Sequence, residues 1–189
     1  MTLLVAGLVL FFGIHSVSIV ANDWRNATAA RIGAGAWKGL YTLVSIAGFV
    51  LMVYGYGLAR QDPFVLYTPA AWTRIVATVL MIPVFPLLLA VYLPGHLKRL
   101  AKHPMLLATK FWALAHLFAN GNLADVLLFG SFLLWAGADR ASLKFRASRP
   151  VPGAPFSALN DVIAAVAGLA VYALFILWAH QRLFGVSPI

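Results

Sequence analysis

The amino-acid sequence predicts an all-α integral membrane bundle of about six transmembrane helices, in a single domain spanning residues 1–189. Three observations carry that expectation. The chain is 62% hydrophobic and only 10% charged, with a mean hydropathy of +0.90, a composition outside the range of soluble domains. Its apolar residues gather into runs near the length of a bilayer crossing, about 20 residues. Its cations fall in alternate connections between those runs.

The first run, Thr2–Ala21, follows no basic segment and is too long for the apolar region of a cleaved signal, so it reads as an anchor. Gly39–Ala59 is the second. Thr73–Leu93 contains Pro83 and Pro86, which remove two backbone donors and kink a helix near its middle. Met105–Ala119 and Leu123–Ala138 are short, about 22–24 Å at 1.5 Å per residue against a hydrocarbon core of about 30 Å. Their Asn120–Gly121–Asn122 turn is therefore expected below the membrane surface, where its backbone must pack against helices or line a polar cavity. The last run, Ala158–His180, begins after Ser157, with Asp161 placed to favour the helix start.

The net charge of +9 is explained by topology, which removes the need for a nucleic-acid partner. Arg25, Arg31 and Lys38 lie in the first connection, Lys98, Arg99 and Lys102 in the third, and Arg140, Lys144, Arg146 and Arg149 in the fifth. The opposite side has Arg60, Arg74 and Arg182, while Lys110 falls inside the fourth run. The odd connections are thus expected inside and both termini outside. Tyr54, Tyr56, Trp72 and Trp178 then form an outer aromatic belt, and Trp24, Trp37, Tyr92 and Trp135 an inner one.

Chemistry is confined to few residues. The absence of cysteine excludes disulfides, thiolate nucleophiles, Cys zinc sites and iron–sulfur clusters. There is no Glu, and Asp23, Asp62, Asp125, Asp139 and Asp161 form no pair at helical spacing, which excludes a carboxylate di-metal site. His96, His103 and His180 read as interfacial. His15 and His116 differ, because each lies within an apolar helix, where ionisable side chains turn to the bundle interior.

Each of the two sits on a polar stripe: His15, Ser18 and Asn22 on the first helix, and Thr109, His116 and Asn120 on the fourth. His15 lies about 10 Å in from Asn22, and His116 lies about 9 Å above Lys110 or about 16 Å above Met105. Two neutral imidazoles with Phe11, Phe12 and Trp112 one turn away can clamp a flat, iron-centred ring, a bis-histidine haem b, with Lys110, Lys102 or Arg99 placed for its carboxylates. Interhelical hydrogen bonding is an equally available use of such histidines. The residues alone leave both open.

The segments Phe11–Phe12–Gly13–Ile14–His15–Ser16, Lys102–His103–Pro104–Met105, Lys110–Phe111–Trp112–Ala113–Leu114–Ala115–His116–Leu117 and Asn120–Gly121–Asn122 resemble the NnrU family, across the whole chain. That family is similar to the plant zeta-carotene isomerases, membrane enzymes with heme b held by a His in an early helix and a His in the motif after His-Pro. On matching motifs the resemblance implies heme b ligated by His15 and His116, with Lys110, Trp112 and Asn120 beside it. It also implies a bacterial inner membrane location, a link to denitrification through nitrite and nitric oxide reduction, and redox-dependent, isomerase-like chemistry on a hydrophobic small molecule. Where the plant enzymes carry Cys three residues before the second His, this chain has Ala113, so a thiolate ligand is unavailable.

Two other classes compete. Lys102–His103–Pro104 also resembles the basic-His-Pro motif of isoprenylcysteine-type membrane methyltransferases, although those rely on Glu, which this chain lacks. His103–Pro104 is equally a plain helix start. A haem-delivering or haem-sensing partner of a respiratory complex would share the haem site without a substrate pocket. Membrane lipid is the remaining expected partner.

Overall fold

The computed structural model describes residues 1–188. The described residues contain ten α-helices and one π-helical turn, and no strand. In order they are α1 (Thr2–Val20), α2 (Asn22–Ile32), α3 (Ala34–Ala59), α4 (Thr73–Met81), α5 (Val84–Ala90), α6 (His96–Ala101), α7 (Pro104–Ala119), α8 (Leu123–Ser142), α9 (Ala158–Leu174), the π turn (Phe175–Ala179) and α10 (His180–Phe184). Four helical stretches are long and apolar enough to cross a membrane: Thr2–Val20, Ala34–Ala59, Thr73–Ala90 and Ala158–Phe184. Helix α7 is shorter, and α8 carries Asp125, Asp139 and Arg140 along its 20 residues.

The chain divides into two compact units. The first comprises Met1–Leu66 and Asn122–Ala147. Here α1 and α3 meet through glycine: a Cβ on Gly48 would lie 2.7 Å from the Phe11 nitrogen, and one on Gly7 would lie 2.8 Å from the Gly48 oxygen. Such small residues let helix backbones approach where apolar burial gives no advantage over lipid. Helix α8 joins this unit through Asp125, 2% exposed, which accepts from the Tyr56 hydroxyl at 2.5 Å and from the Asn122 backbone N–H at 3.0 Å.

Sequence reasoning took Arg25–Lys38 as a connection, and the structure corrects this. Residues 22–32 form α2, and Lys38 lies inside α3. Alanines at 27, 29 and 30 favour helix, and Asp23 and Arg31 complement its dipole at the two ends. The backbone turns at Ala21, φ −142° and ψ 49°, so Asn22 opens α2 and leaves the stripe assigned to it with His15 and Ser18. Helix α8 likewise runs past Ala138 to Ser142, which puts Arg140 inside it.

The second unit comprises Tyr67–Gly121 and Ser148 to the last described residue. Its expected proline kink is a break in the hydrogen-bond ladder between α4 and α5, across which Ile82 and Pro83 keep helical dihedrals. Pro83 has no N–H to give, and Ile82 shifts its own bond to Val79 O at 3.2 Å. The Tyr172 hydroxyl of α9 then donates to Thr78 O at 2.8 Å, so a carbonyl released by the break finds a partner. Pro86 falls in the first turn of α5, where its missing N–H costs nothing. Asp161 does more than open its own helix: its carboxylate accepts from the backbone N–H groups of His96 at 2.7 Å and Leu97 at 2.8 Å, capping α6. Ser157 caps α9 through Leu159 N–H.

Protein partners meet several backbone groups of the Asn120–Gly121–Asn122 turn and of Leu123 beside it, among them Asn122 N–H, which donates to Asp125 at 3.0 Å. Within the second unit Tyr67 N–H donates to Gly121 O at 3.1 Å, and within the first Leu123 N–H donates to Phe64 O at 2.8 Å.

Candidate functional site

His15 sits on α1 in the first unit and is half-buried. Its Nδ1 lies 2.7 Å from Phe11 O. A carbonyl only accepts, so Nδ1 carries the proton and Nε2 of the neutral ring carries the lone pair. Phe11 stacks on the imidazole at 4.0 Å, Tyr41 of α3 lies 5.0 Å away, and Trp135 of α8 meets it edge-on at 5.8 Å. Phe12 and Phe132 extend this aromatic cluster, their rings 4.9 Å apart.

One atom in the cluster is anomalous. Trp135 Nε1 is buried and finds no protein acceptor, a condition that native interiors avoid unless a ligand or water supplies the partner. Sequence reasoning placed Trp135 in an interfacial belt and missed its contact with His15. The signal was available in the spacing of Phe132, Trp135 and Asp139, which puts an apolar pair and a carboxylate on one face of α8. Below it, Asp139 pairs with Arg146, whose Nε also donates to Ser142 Oγ at 2.9 Å, closing the end of α8.

His116 sits on α7 in the second unit with the same local geometry: its Nδ1 lies 2.8 Å from Trp112 O, and the Trp112 ring is 5.3 Å away. Nδ1 therefore donates and Nε2 holds the lone pair. Asn120 has left the helix, with φ −132° and ψ 138°, so it does not continue the stripe of Thr109 and His116. It returns both its backbone N–H, at 2.8 Å, and its side-chain Nδ2, at 3.0 Å, to His116 O. The Tyr67 hydroxyl reaches the Leu117 and Asn120 carbonyls and so holds this end of α7, a positioning role the sequence reading did not assign. Lys110 lies on α7 two turns before His116 and is half-buried. The structure thus brings Trp112, His116 and Asn120 together and gathers a separate aromatic setting around His15.

His180 opens α10, is half-buried, and its Nδ1 donates to Val186 O at 2.7 Å. His96 is 68% exposed and bonds Asp161. His103 is the N-cap of α7 with Pro104 at its first position, the plain helix start. Among the described residues no group of three or more His, Cys, Asp or Glu side chains could hold a bare metal ion. A haem makes a smaller demand, since its macrocycle supplies the equatorial nitrogens and the protein only axial ligands. Within its own unit each of His15 and His116 presents a ring nitrogen with a lone pair, the donor that an axial ligand supplies.

Residues 3–188 match the NnrU protein family, and the chain belongs to it. No curated protein and no solved structure matches the chain.

Proposed function

We propose that this NnrU-family chain is a heme b-binding membrane protein with His15 and His116 as the axial ligands and a redox-linked role. The observation that carries the reading is the shared tautomer: each half-buried imidazole commits Nδ1 to the carbonyl four residues earlier, at 2.7 and 2.8 Å, and so presents Nε2 for iron. His180, equally half-buried, also commits its Nδ1 to a carbonyl, but to Val186 O six residues later in the chain and not to its own helix.

In this reading the residues divide the work. His15 and His116 ligate, while the Phe11, Tyr41 and Trp112 rings exclude water. Trp135 Nε1 donates to an acceptor on the bound group, and Lys110 pairs with its carboxylates. Asn120, through His116 O, fixes the ligand's helix turn. A bound haem would supply one-electron chemistry that these side chains lack. The family resemblance favours a place in nitrite and nitric oxide reduction, with isomerase-like turnover of a hydrophobic molecule as the accompanying activity.

We also take α7 and α8 as spans, which gives six crossings in one domain. Helix α8 is about 30 Å long at 1.5 Å per residue, and its buried charge, Asp125, is satisfied by Tyr56 and Asn122. The cation distribution then sets both termini outside a bacterial inner membrane.

Absorption spectra of gently purified protein, oxidised and dithionite-reduced, test the site. A Soret band with sharp reduced α and β bands is expected. It should be lost or converted in His15→Ala and His116→Ala and kept in His96→Ala and His180→Ala. A wild-type chain that purifies without haem and takes none up, or a spectrum unchanged in both axial variants, refutes the reading.

A further inference from the structure

Helix α6 covers an open apolar cavity of about 250 Å³, wholly within the second unit. Leu87 of α5 forms one wall, Leu107 and Phe111 of α7 a second, and Leu97, Leu100 and Ala101 of α6 the third. The first two walls adjoin a buried cluster of Val84, Leu87 and Ala108, against which Trp112 also packs, one turn before His116. The α6 wall is different. None of its six residues is buried, Leu100 is 84% exposed, and a helix of six residues is too short to hold itself together.

What holds α6 is polar. The Asp161 carboxylate of α9 accepts from His96 N–H on Oδ2 at 2.7 Å and from Leu97 N–H on Oδ1 at 2.8 Å, and His96 Nδ1 lies 3.1 Å from Oδ2. Lys98 Nζ donates to Val91 O at 2.7 Å, and the Arg99 guanidinium lies 5.2 Å from the Phe156 ring centre. The chain on either side is fixed separately. Tyr92 O accepts from Ala154 N–H, Pro94 O accepts from Ser157 N–H and Asn160 Nδ2, and Pro104 is buried at the start of α7. Movement is therefore confined to residues 95–103, and both ends of that stretch have the backbone of a hinge. Gly95 is extended, with φ −150° and ψ −159°. Lys102 is the one described non-glycine residue with positive φ, at 60° with ψ −49°. His103 N–H donates back to Ala101 O at 2.6 Å, closing a tight three-residue turn of the rare, strained kind. Strain of that sort gathers at switch regions, where a second conformation relieves it.

We propose that α6 is a hinged gate over this cavity, latched by Asp161, through which an uncharged apolar molecule passes from the bilayer to the core beside Trp112. Latched, α6 supplies the third wall. Released from the carboxylate, it turns about Gly95 and Lys102 and uncovers Leu87 and Phe111. The purpose of the gate rests on the reading above, in which a hydrophobic molecule is turned over, whereas its motion does not.

Hydrogen exchange and photolabelling of the full chain in lipid nanodiscs test it, the second with an uncharged aryl diazirine dissolved in the bilayer. Asp161→Asn removes the charge and one acceptor oxygen. Gly95→Ala breaks the latch from the other side, because its Cβ would lie 2.3 Å from Asp161 Oδ1 and displace the carboxylate. In both variants the Arg99 and Lys102 amides, bonded to Gly95 O and Lys98 O, should exchange about tenfold faster, the effect of losing one hydrogen bond to a charged group, with α5 and α7 unchanged. Labelling of Leu87, 3% exposed under the latched gate, should rise with it. Unchanged α6 exchange in both variants overturns the proposal. So does faster exchange spread alike through α5, α7 and α9, which marks Asp161 as a support of the whole unit, or faster α6 exchange with Leu87 labelling unchanged. Neither readout reports on haem, and the absorption spectra of the same samples show separately whether the haem assignment stands.

Discussion

Replacing Gly48 by Ala tests whether the close contact of α1 and α3 also positions His15 for its proposed role as a ligand. The new Cβ would lie 2.7 Å from Phe11 N and 3.0 Å from Phe11 Cα, against backbone that has no rotamer to change. Ordinary contact begins at about 3.5 Å, so the helices must part by about 0.8 Å. Overpacking of this kind costs about 1–3 kcal/mol. Gly57→Ala, in the same helix with nothing within 4 Å of its Cβ, is the control. Both substitutions gain the same helix propensity, so their difference isolates the clash. Unfolding in a detergent series, followed by circular dichroism, should place Gly48→Ala below Gly57→Ala by that amount. Phe11 O also receives His15 Nδ1, so haem retention should fall in Gly48→Ala alone. Equal stability of the two variants refutes the packing, and a destabilised Gly48→Ala with wild-type haem retention and spectrum refutes its link to the ligand.

Tyr56→Phe leaves the buried Asp125 carboxylate with one donor fewer and should destabilise the protein by about 1.5–3 kcal/mol in the same unfolding series; Tyr54→Phe, at an exposed position, should not. Single cysteines at Thr2 and Ser148 of this cysteine-free chain should label from opposite membrane faces, and labelling from one face overturns the six-span topology. Trp135→Phe removes the N–H that no protein atom accepts, so it should leave haem-free stability within about 1 kcal/mol of wild type while lowering haem retention. If reduced protein binds carbon monoxide with a spectral shift, an axial His is displaceable and isomerase-like chemistry at iron is supported; without binding, electron transfer is the better role.

The membrane class was legible because bilayer length and hydropathy act on whole segments, and four such segments recur as helices at nearly their expected bounds. The missed elements lack that averaging. Helix α2 has no apolar run, and its signals were the alanines between Asp23 and Arg31. Helix α6 has six residues, too few for any period to register, and depends on a carboxylate 65 residues away along the chain, Asp161. Apolar content alone locates neither. Helix α6 is held by polar contacts that only the fold brings together.

The candidate site divides along the same physical line. His15 and His116 stand out in sequence because an ionisable group in an apolar helix requires a reason. Their tautomers are also written locally, since the receiving carbonyls of Phe11 and Trp112 are four residues back on the same helix. Tyr41, Tyr67 and Trp135 could not be found that way, because each acts across helices or loops. Tyr67 matters through a hydroxyl at the end of α7, and Trp135 through an N–H whose lack of acceptor exists only once the first unit has packed. Local chemistry thus names the proposed ligands, whereas the groups that would orient them and meet the rest of a bound haem are set by tertiary packing. If the site reading holds, substitutions at the two histidines should abolish ligation outright. Those at Trp135 and Tyr67 should instead change haem affinity and spectrum by degrees, since each adjusts a ligand or its surroundings without supplying one.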